Sequence, residues 1–253
     1  MRIVRYGDGR YGLVEGDLIH ALSAAPWETG GKPARSGESV DRSTAVLLPP
    51  TVPTKILGIG RNYRAHAREL GNEVPKEPLV FYKPPSSLLA HNGLIQIPAD
   101  AGRVDFEGEL ALVISRRARN VPAASWRDVV FGFTVANDVT ARELQKRDGQ
   151  WWRAKGMDTF CPLGPAIETD LDPSDLLLET FVDGERKQSG RTSDMIFPLP
   201  ELIAHVTRYV TLEPGDVLLT GTPEGVAPLT AGQTVEVQID GIGKLSAKVS
   251  SRD

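Results

Sequence analysis

Two mostly apolar runs stand out in the chain, at 110–114 (LALVI) and 129–136 (VVFGFTVA). Both are short, rich in branched side chains and bounded by polar residues, so each predicts a strand buried on both faces. The first is the second half of a longer strand, 104–114, whose opening residues Val104-Asp105-Phe106-Glu107-Gly108-Glu109 alternate in polarity. The second ends abruptly in Asn137-Asp138. Further strands are predicted at 55–60, at 79–83 before Pro84-Pro85, at 93–98, at 180–186 around an Asp183-Gly184 turn, at 217–220, at 234–239 and at 244–249. Helical spacing is rarer. Residues 61–71 predict a short helix stopped by Gly71, and 140–147 a second. Leu199, Leu202, Ile203, Val206 and Val210 form the apolar stripe of a third, with Pro200 in its first turn.

Residues 1–22 predict short strands joined at glycine turns, and 25–45, with Gly30-Gly31 and Pro33, show no periodicity. The proline-rich segment 47–53 is a stiff linker. This divides the chain into a small N-terminal β-rich unit, 1–50, and a larger domain, 51–253. Strands dominate without regular strand–helix alternation, so the expected class is α+β with a mixed, rolled β-sheet.

Composition removes several function classes. The 253 residues carry a net charge of −4 with no Lys/Arg cluster, so no nucleic-acid partner is expected. One cysteine, Cys161, rules out an internal disulfide and fits a reducing compartment. The opening MRIVRYGD lacks a signal-peptide core, and no apolar run nears the roughly 20 residues of a membrane helix. A cytoplasmic location and no membrane partner are expected.

The candidate chemistry begins in the acidic strand. Strand side chains alternate between faces, so Asp105, Glu107 and Glu109 share one. Three carboxylates beside a core cannot all ionise unaided: one keeps its proton, or a cation sits among them. A divalent metal and an acidic strand end in water both satisfy the pattern. If the two apolar strands are neighbours, Asp138 meets Glu107 and Glu109, and that all-oxygen set favours Mg²⁺ or Mn²⁺ over zinc. The competing role for Asp138 is capping the helix that follows. His66 and Glu69, three apart on a helix, make either a general-base pair or a surface ion pair. Lys155 could neutralise an enolate or sit in solvent. The Thr222 hydroxyl and the amides of 221–226 could hold a substrate carboxylate. Cys161 is expected to be a small apolar filler and His205 a polar surface residue. Gly58-x-Gly60 lacks the third glycine of a dinucleotide site, where Tyr63 stands.

Seven ordered stretches carry a resemblance: Gly58-Ile59-Gly60-Arg61-Asn62-Tyr63 with His66; Phe81-Tyr82-Lys83-Pro84; Asp105-Phe106-Glu107-Gly108-Glu109-Leu110; Asn137-Asp138-Val139-Thr140-Ala141-Arg142; 155–165; 192–197; and 220–226. Over residues 55–249 the chain resembles the fumarylacetoacetate hydrolase superfamily, in its branch of bacterial isomerases, decarboxylases and acylpyruvate hydrolases. The resemblance implies that Glu107, Glu109 and Asp138 ligate Mg²⁺ or Mn²⁺, with Asp105 outside the ligand set. It implies that Lys155 stabilises an enolate and that His66 and Glu69 activate water or shuttle a proton. Gln145 and Thr222, with Arg61 and Arg142, would bind the 2-oxo acid substrate, and the protein would be a homodimer. The expected function is isomerisation or decarboxylation of 2-hydroxyhepta-2,4-diene-1,7-dioate-type intermediates of aromatic catabolism. The alternatives are acylpyruvate or fumarylpyruvate hydrolysis and oxaloacetate decarboxylation. A metal-stabilised binding protein without turnover is the rival from another class.

Overall fold

Two sheets and one amphipathic helix enclose the core. The computed structural model describes residues 1–30 and 34–252. The first sheet is mixed and twelve-stranded. At its centre the strand Gly108–Ile114 lies between Val130–Asn137 and Val217–Leu219, antiparallel to both. Val217–Leu219 runs parallel to Ile56–Gly60, and Leu79–Lys83 closes that edge. In the other direction Cys161–Glu168 is followed by Arg2–Tyr6, Arg10–Glu15, Leu18–Leu22 and Arg35–Asp41, so the N-terminal strands extend the same sheet. The second sheet has five strands, ordered Glu185–Arg191, Leu177–Val182, Thr234–Ile239, Gly243–Arg252, Gly93–Pro98. The architecture is the expected α+β roll.

The central strand is buried along its whole length, as its unbroken apolar run requires. Leu110, Leu112 and Ile114 pack with Leu178, Val237 and Ile239 of the second sheet. Leu199, Leu202, Ile203 and Val206 of the helix Leu199–Tyr209 complete that layer. Truncating one such leucine to alanine costs roughly 2–5 kcal/mol. On the opposite face Ala111 packs with Ala136, Cys161, Leu163 and Leu219. Glu109 shares the parity of Ala111, and Asp138 that of Ala136, so both carboxylates emerge on this second face.

The structure departs from the sequence reading in four places, the first being that Leu47–Leu48, at the start of the segment read as a linker, is a strand paired with Arg5 and Tyr6. The strand predicted over 104–114 breaks at Phe106 and Glu107: Val104–Asp105 pairs with Thr140–Ala141, and Gly108–Ile114 joins the large sheet. That pairing takes Thr140 and Ala141 into a strand, so the helix runs from Arg142 to Asp148 instead of 140–147. The tract 25–45 holds a 3₁₀ turn, Pro26–Thr29, and an edge strand, Arg35–Asp41, exposed over most of its length. A strand that meets water on both faces has no reason to alternate. Gly31 and Pro33 of that tract lie outside the described residues. Among the described residues no helix is long and apolar enough to cross a membrane.

Candidate active site

The register of the two central strands builds the site. Gly108 pairs with Asn137 and Glu109 with Ala136, which puts Asp138 across from Glu107. The Asp138 amide donates to the Glu107 carbonyl (2.8 Å), and the Glu107 amide to Asn137 Oδ1 (3.0 Å). One oxygen from each of Glu107, Glu109 and Asp138 lies within 4.8 Å of the others, and all three residues are buried. Asp138 does not cap the following helix, whose N-cap is Ala141 with no side-chain hydrogen bond.

Lysines neutralise two of the three carboxylates. Lys155 Nζ donates to Glu107 Oε2 (2.8 Å), Asp138 Oδ2 (2.5 Å) and Thr140 Oγ1 (2.7 Å). Lys83 Nζ donates to the other Asp138 oxygen and to the carbonyls of Lys155 and Phe160. Arg142 Nε donates to Asp105 Oδ2 (2.8 Å), and its Nη2 lies 2.8 Å from Glu107 Oε1 as an ion pair outside hydrogen-bond alignment. Burial pushes the Glu107 carboxyl up, but Lys155 and Arg142 outweigh it and hold the group far below the usual range. Lys155 is shifted the other way, upward, since Asp138 and Glu107 outweigh its desolvation.

Glu109 is the exception. Its carboxylate accepts the Gly221 amide (2.7 Å) and forms no ion pair among the described residues. Burial, then Asp138, then Glu107 raise its pKa well above the usual value. Four buried carboxylates, counting Asp105, thus face three buried cations, Lys83, Lys155 and Arg142. A divalent cation among Glu107, Glu109 and Asp138 would satisfy the group the protein leaves uncompensated. The donor set is hard, anionic and all oxygen, as Mg²⁺ or Mn²⁺ requires, so the residues fit such an ion.

Asn62 sets the helix Arg64–Glu69 beside this cluster. Its side chain donates to Phe197 and Thr220 carbonyls and accepts the Phe197 amide. His66 is buried there, with Nε2 3.8 Å from Glu107 Oε1 and Nδ1 3.4 Å from Glu69 Oε2. Burial lowers its pKa below the ordinary imidazole value, against a smaller opposing pull from Glu107. The ring is therefore neutral near pH 7, as a base must be.

Eight of the ten sequence-predicted site residues line one cavity of about 370 Å³: Arg61, His66, Glu107, Glu109, Arg142, Gln145, Lys155 and Thr222. Asp138 lies behind its wall under the two lysines. Glu69 turns its other oxygen to the Gly225 amide (3.0 Å). Arg142 Nη1 donates to Gln145 Oε1 (3.1 Å). Asp105 is held by Arg103 and Arg142, clear of the three-carboxylate cluster. Cys161 is buried, its thiol pushed up to about 12 by desolvation, in keeping with the filler role. Sequence reasoning assigned no role to Lys83, the wholly buried partner of Asp138. The available signal was its place at the end of a strand, against two prolines.

Residues 55–250 match the family model described as fumarylacetoacetate (FAA) hydrolase, C-terminal. Residues 1–50 match one described as Rv2993c-like, N-terminal. The mitochondrial oxaloacetate tautomerase FAHD1 of Arabidopsis thaliana is 48% identical over 205 residues, covering 79% of this chain and 92% of that protein. The crystal structure of 5-carboxymethyl-2-hydroxymuconate delta-isomerase from Mycobacterium smegmatis superposes with a TM-score of 0.93 at 43% identity, covering both chains fully. That of 2-hydroxyhepta-2,4-diene-1,7-dioate isomerase from Mycobacterium marinum gives 0.92 at 41% identity, covering 100% of this chain and 99% of the other.

Proposed function

The chain belongs to the fumarylacetoacetate hydrolase family and is an enzyme, and from that premise we propose that it is a Mg²⁺- or Mn²⁺-dependent tautomerase or isomerase. Its substrates are small 2-oxo acids, or their 2-hydroxy-dienoic forms, that carry a second carboxylate. The observation that carries this reading is the convergence of Glu107, Glu109 and Asp138 beside the buried His66 imidazole and the buried Lys155 ammonium. Relatives named as oxaloacetate tautomerase and as two dienoate isomerases support it, because each of those reactions moves a proton through an enol.

Glu107, Glu109 and Asp138 hold the metal, which when bound supplies Lewis-acid stabilisation of charge developing on the substrate's 2-oxo oxygen. Lys155 adds a positive charge that needs no reorganisation, since its ammonium is already fixed by three oxygens. His66 takes or returns the proton at carbon, with Glu69 orienting the ring through Nδ1. Thr222, Gln145 and Arg142 hold the carboxylate of the reacting end. Arg61, on the cavity wall and stacked 5.9 Å from the Trp151 ring, meets the distal carboxylate.

One observation favours carbon–carbon hydrolysis as a second reading: the His66–Glu69 pair has the form of a water-activating dyad. Two further proposals accompany the function, a cytoplasmic location and a homodimer. For the latter, the outer edge of Leu79–Lys83 carries exposed Val80 and Tyr82.

A panel assay decides between them. Enolic oxaloacetate, a 2-hydroxy-dienedioate and acetylpyruvate are each mixed with Mg²⁺-loaded protein in D₂O, and products are followed by NMR. Loss of the enol faster than in protein-free Mg²⁺ buffer, with deuterium entering the carbon skeleton and the acceleration removed by EDTA, is the expected result. Formation of pyruvate from acetylpyruvate would establish the hydrolase. No turnover of any compound with Mg²⁺ bound would refute both.

A further inference from the structure

The five-stranded sheet bonds to both Gly108 and Thr222 through the buried side chain of Gln188, in Glu185–Arg191. All four of its hydrogen-bonding positions are filled. Its Oε1 accepts the Gly108 amide (3.0 Å) and the Thr180 hydroxyl (2.7 Å). Its Nε2 donates to the Pro223 carbonyl (2.8 Å) and to Thr222 Oγ1 (2.8 Å). Two of these partners are backbone groups of fixed polarity: Gly108 N–H can only donate and the Pro223 carbonyl can only accept. They leave the amide one orientation.

That orientation decides what Thr222 does. A hydroxyl that accepts from Gln188 keeps its one proton for another partner. Among the described residues that proton has no acceptor, and Thr222 lines the same cavity as Glu107, Glu109 and Lys155. The same amide also fixes the peptide between two of the carboxylates. Gly108 admits no larger residue there, because a Cβ would stand 2.3 Å from Thr180 Oγ1 and 3.3 Å from Gln188 Oε1.

We propose that Gln188 is a positioning residue with two outputs: it commits Thr222 to donating a hydrogen bond to an anionic substrate oxygen, and it clamps the Gly108 peptide, at the start of the central strand, that spaces Glu107 and Glu109. The first output rests on the 2-oxo acid reading given above; the second does not. A carboxylate at 188 separates the two. Gln188→Glu keeps acceptors for Gly108 and Thr180 but sets an oxygen against the Pro223 carbonyl and towards Thr222, where it draws the threonine proton away from the cavity.

Calorimetry on the full chain measures Mg²⁺ binding and then the binding of oxalate, a small chelating dianion that mimics the reacting end of a 2-oxo acid. Thr222→Val is expected to weaken oxalate roughly ten- to a hundredfold, the value of a charge-assisted hydrogen bond, with Thr222→Ser restoring it. Gln188→Glu should weaken oxalate to a similar degree, leave Mg²⁺ affinity within about threefold, and add nothing in the Thr222→Val background. Gln188→Met, uncharged and similar in volume, covers the case in which the buried glutamate does not fold. It should weaken both Mg²⁺ and oxalate. Equal oxalate losses for Gln188→Glu with and without Thr222 would overturn the first output, as would unchanged oxalate binding in Gln188→Met. Unchanged Mg²⁺ binding in Gln188→Met would overturn the second. Failure of the native Mg²⁺-loaded protein to bind oxalate would refute the 2-oxo acid reading and the Thr222 role with it, while the Mg²⁺ comparison would still judge the clamp.

Discussion

Replacing Glu109 with glutamine should make the metal-free protein more stable and at the same time destroy its affinity for Mg²⁺. Glu109 is buried, accepts one amide and faces two other carboxylates. Burial first, and then Asp138 and Glu107, raise its pKa in the fold. The unfolded chain ionises this group at about pH 4.3, so above that pH the unfolded state holds fewer protons than the native one and stability falls as pH rises. Each pH unit over which the native group stays protonated costs about 1.4 kcal/mol, which limits the penalty near pH 7 to about 4 kcal/mol. Glutamine escapes that penalty. Its Oε1 can still accept the Gly221 amide, and its NH₂ faces the carboxylates that made the charge unwelcome. At roughly 2–4 °C per kcal/mol for a chain of this size, Tm without metal should rise by up to roughly 8–16 °C. Near pH 4 the difference should shrink towards zero, because the unfolded glutamate is then protonated as well. Scanning calorimetry in EDTA at acidic and neutral pH, with Mg²⁺ titration of both proteins, checks both halves. A variant that melts at or below the native temperature at neutral pH would refute the uncompensated carboxylate, and with it the physical reason for a metal there.

Lys155→Met should lower turnover by about 10²–10³, the usual effect of removing one preorganised charge donor, while Mg²⁺ still binds. Equal turnover would remove the lysine from the chemistry. The neutral His66 sets the acid limb of the rate profile: kcat should hold below the ordinary imidazole value of about 6.5 and fall only as the buried ring takes a proton. His66→Asn should be slow with that limb absent, and a native limb at or above the ordinary value would contradict the burial argument. The Cys161 thiol, pushed up to about 12, should resist iodoacetamide at neutral pH in the folded protein and react once the chain is denatured. Labelling of the native protein would show that the strand it sits on opens.

Much of the site was legible because its chemistry lies where apolar patterns end. A carboxylate at the end of a buried strand is conspicuous, so Asp138 could be set against Glu107 and Glu109 on the condition that the two apolar strands are neighbours, with helix capping as its competitor; the register of the two strands meets that condition. The expectation that Asp105, Glu107 and Glu109 share a face agrees with all three lining the cavity, although the strand carrying them is broken. That break was not legible, because the pairing of Val104–Asp105 with Thr140–Ala141 is a tertiary fact that overrides local helical composition. Lys83 and Gln188 escaped for a related reason. Both lie on strands with exposed residues, where a polar side chain looks like the wet face. Gln188 is in fact an inward residue of a strand that closes over the loop 221–226, and Gly225 and Gly190 both approach across that contact. A single polar residue on the core side of an otherwise exposed strand leaves no periodic trace. It becomes visible only when the groups of fixed polarity around it, here an amide from one sheet and a carbonyl from the loop, are known to converge.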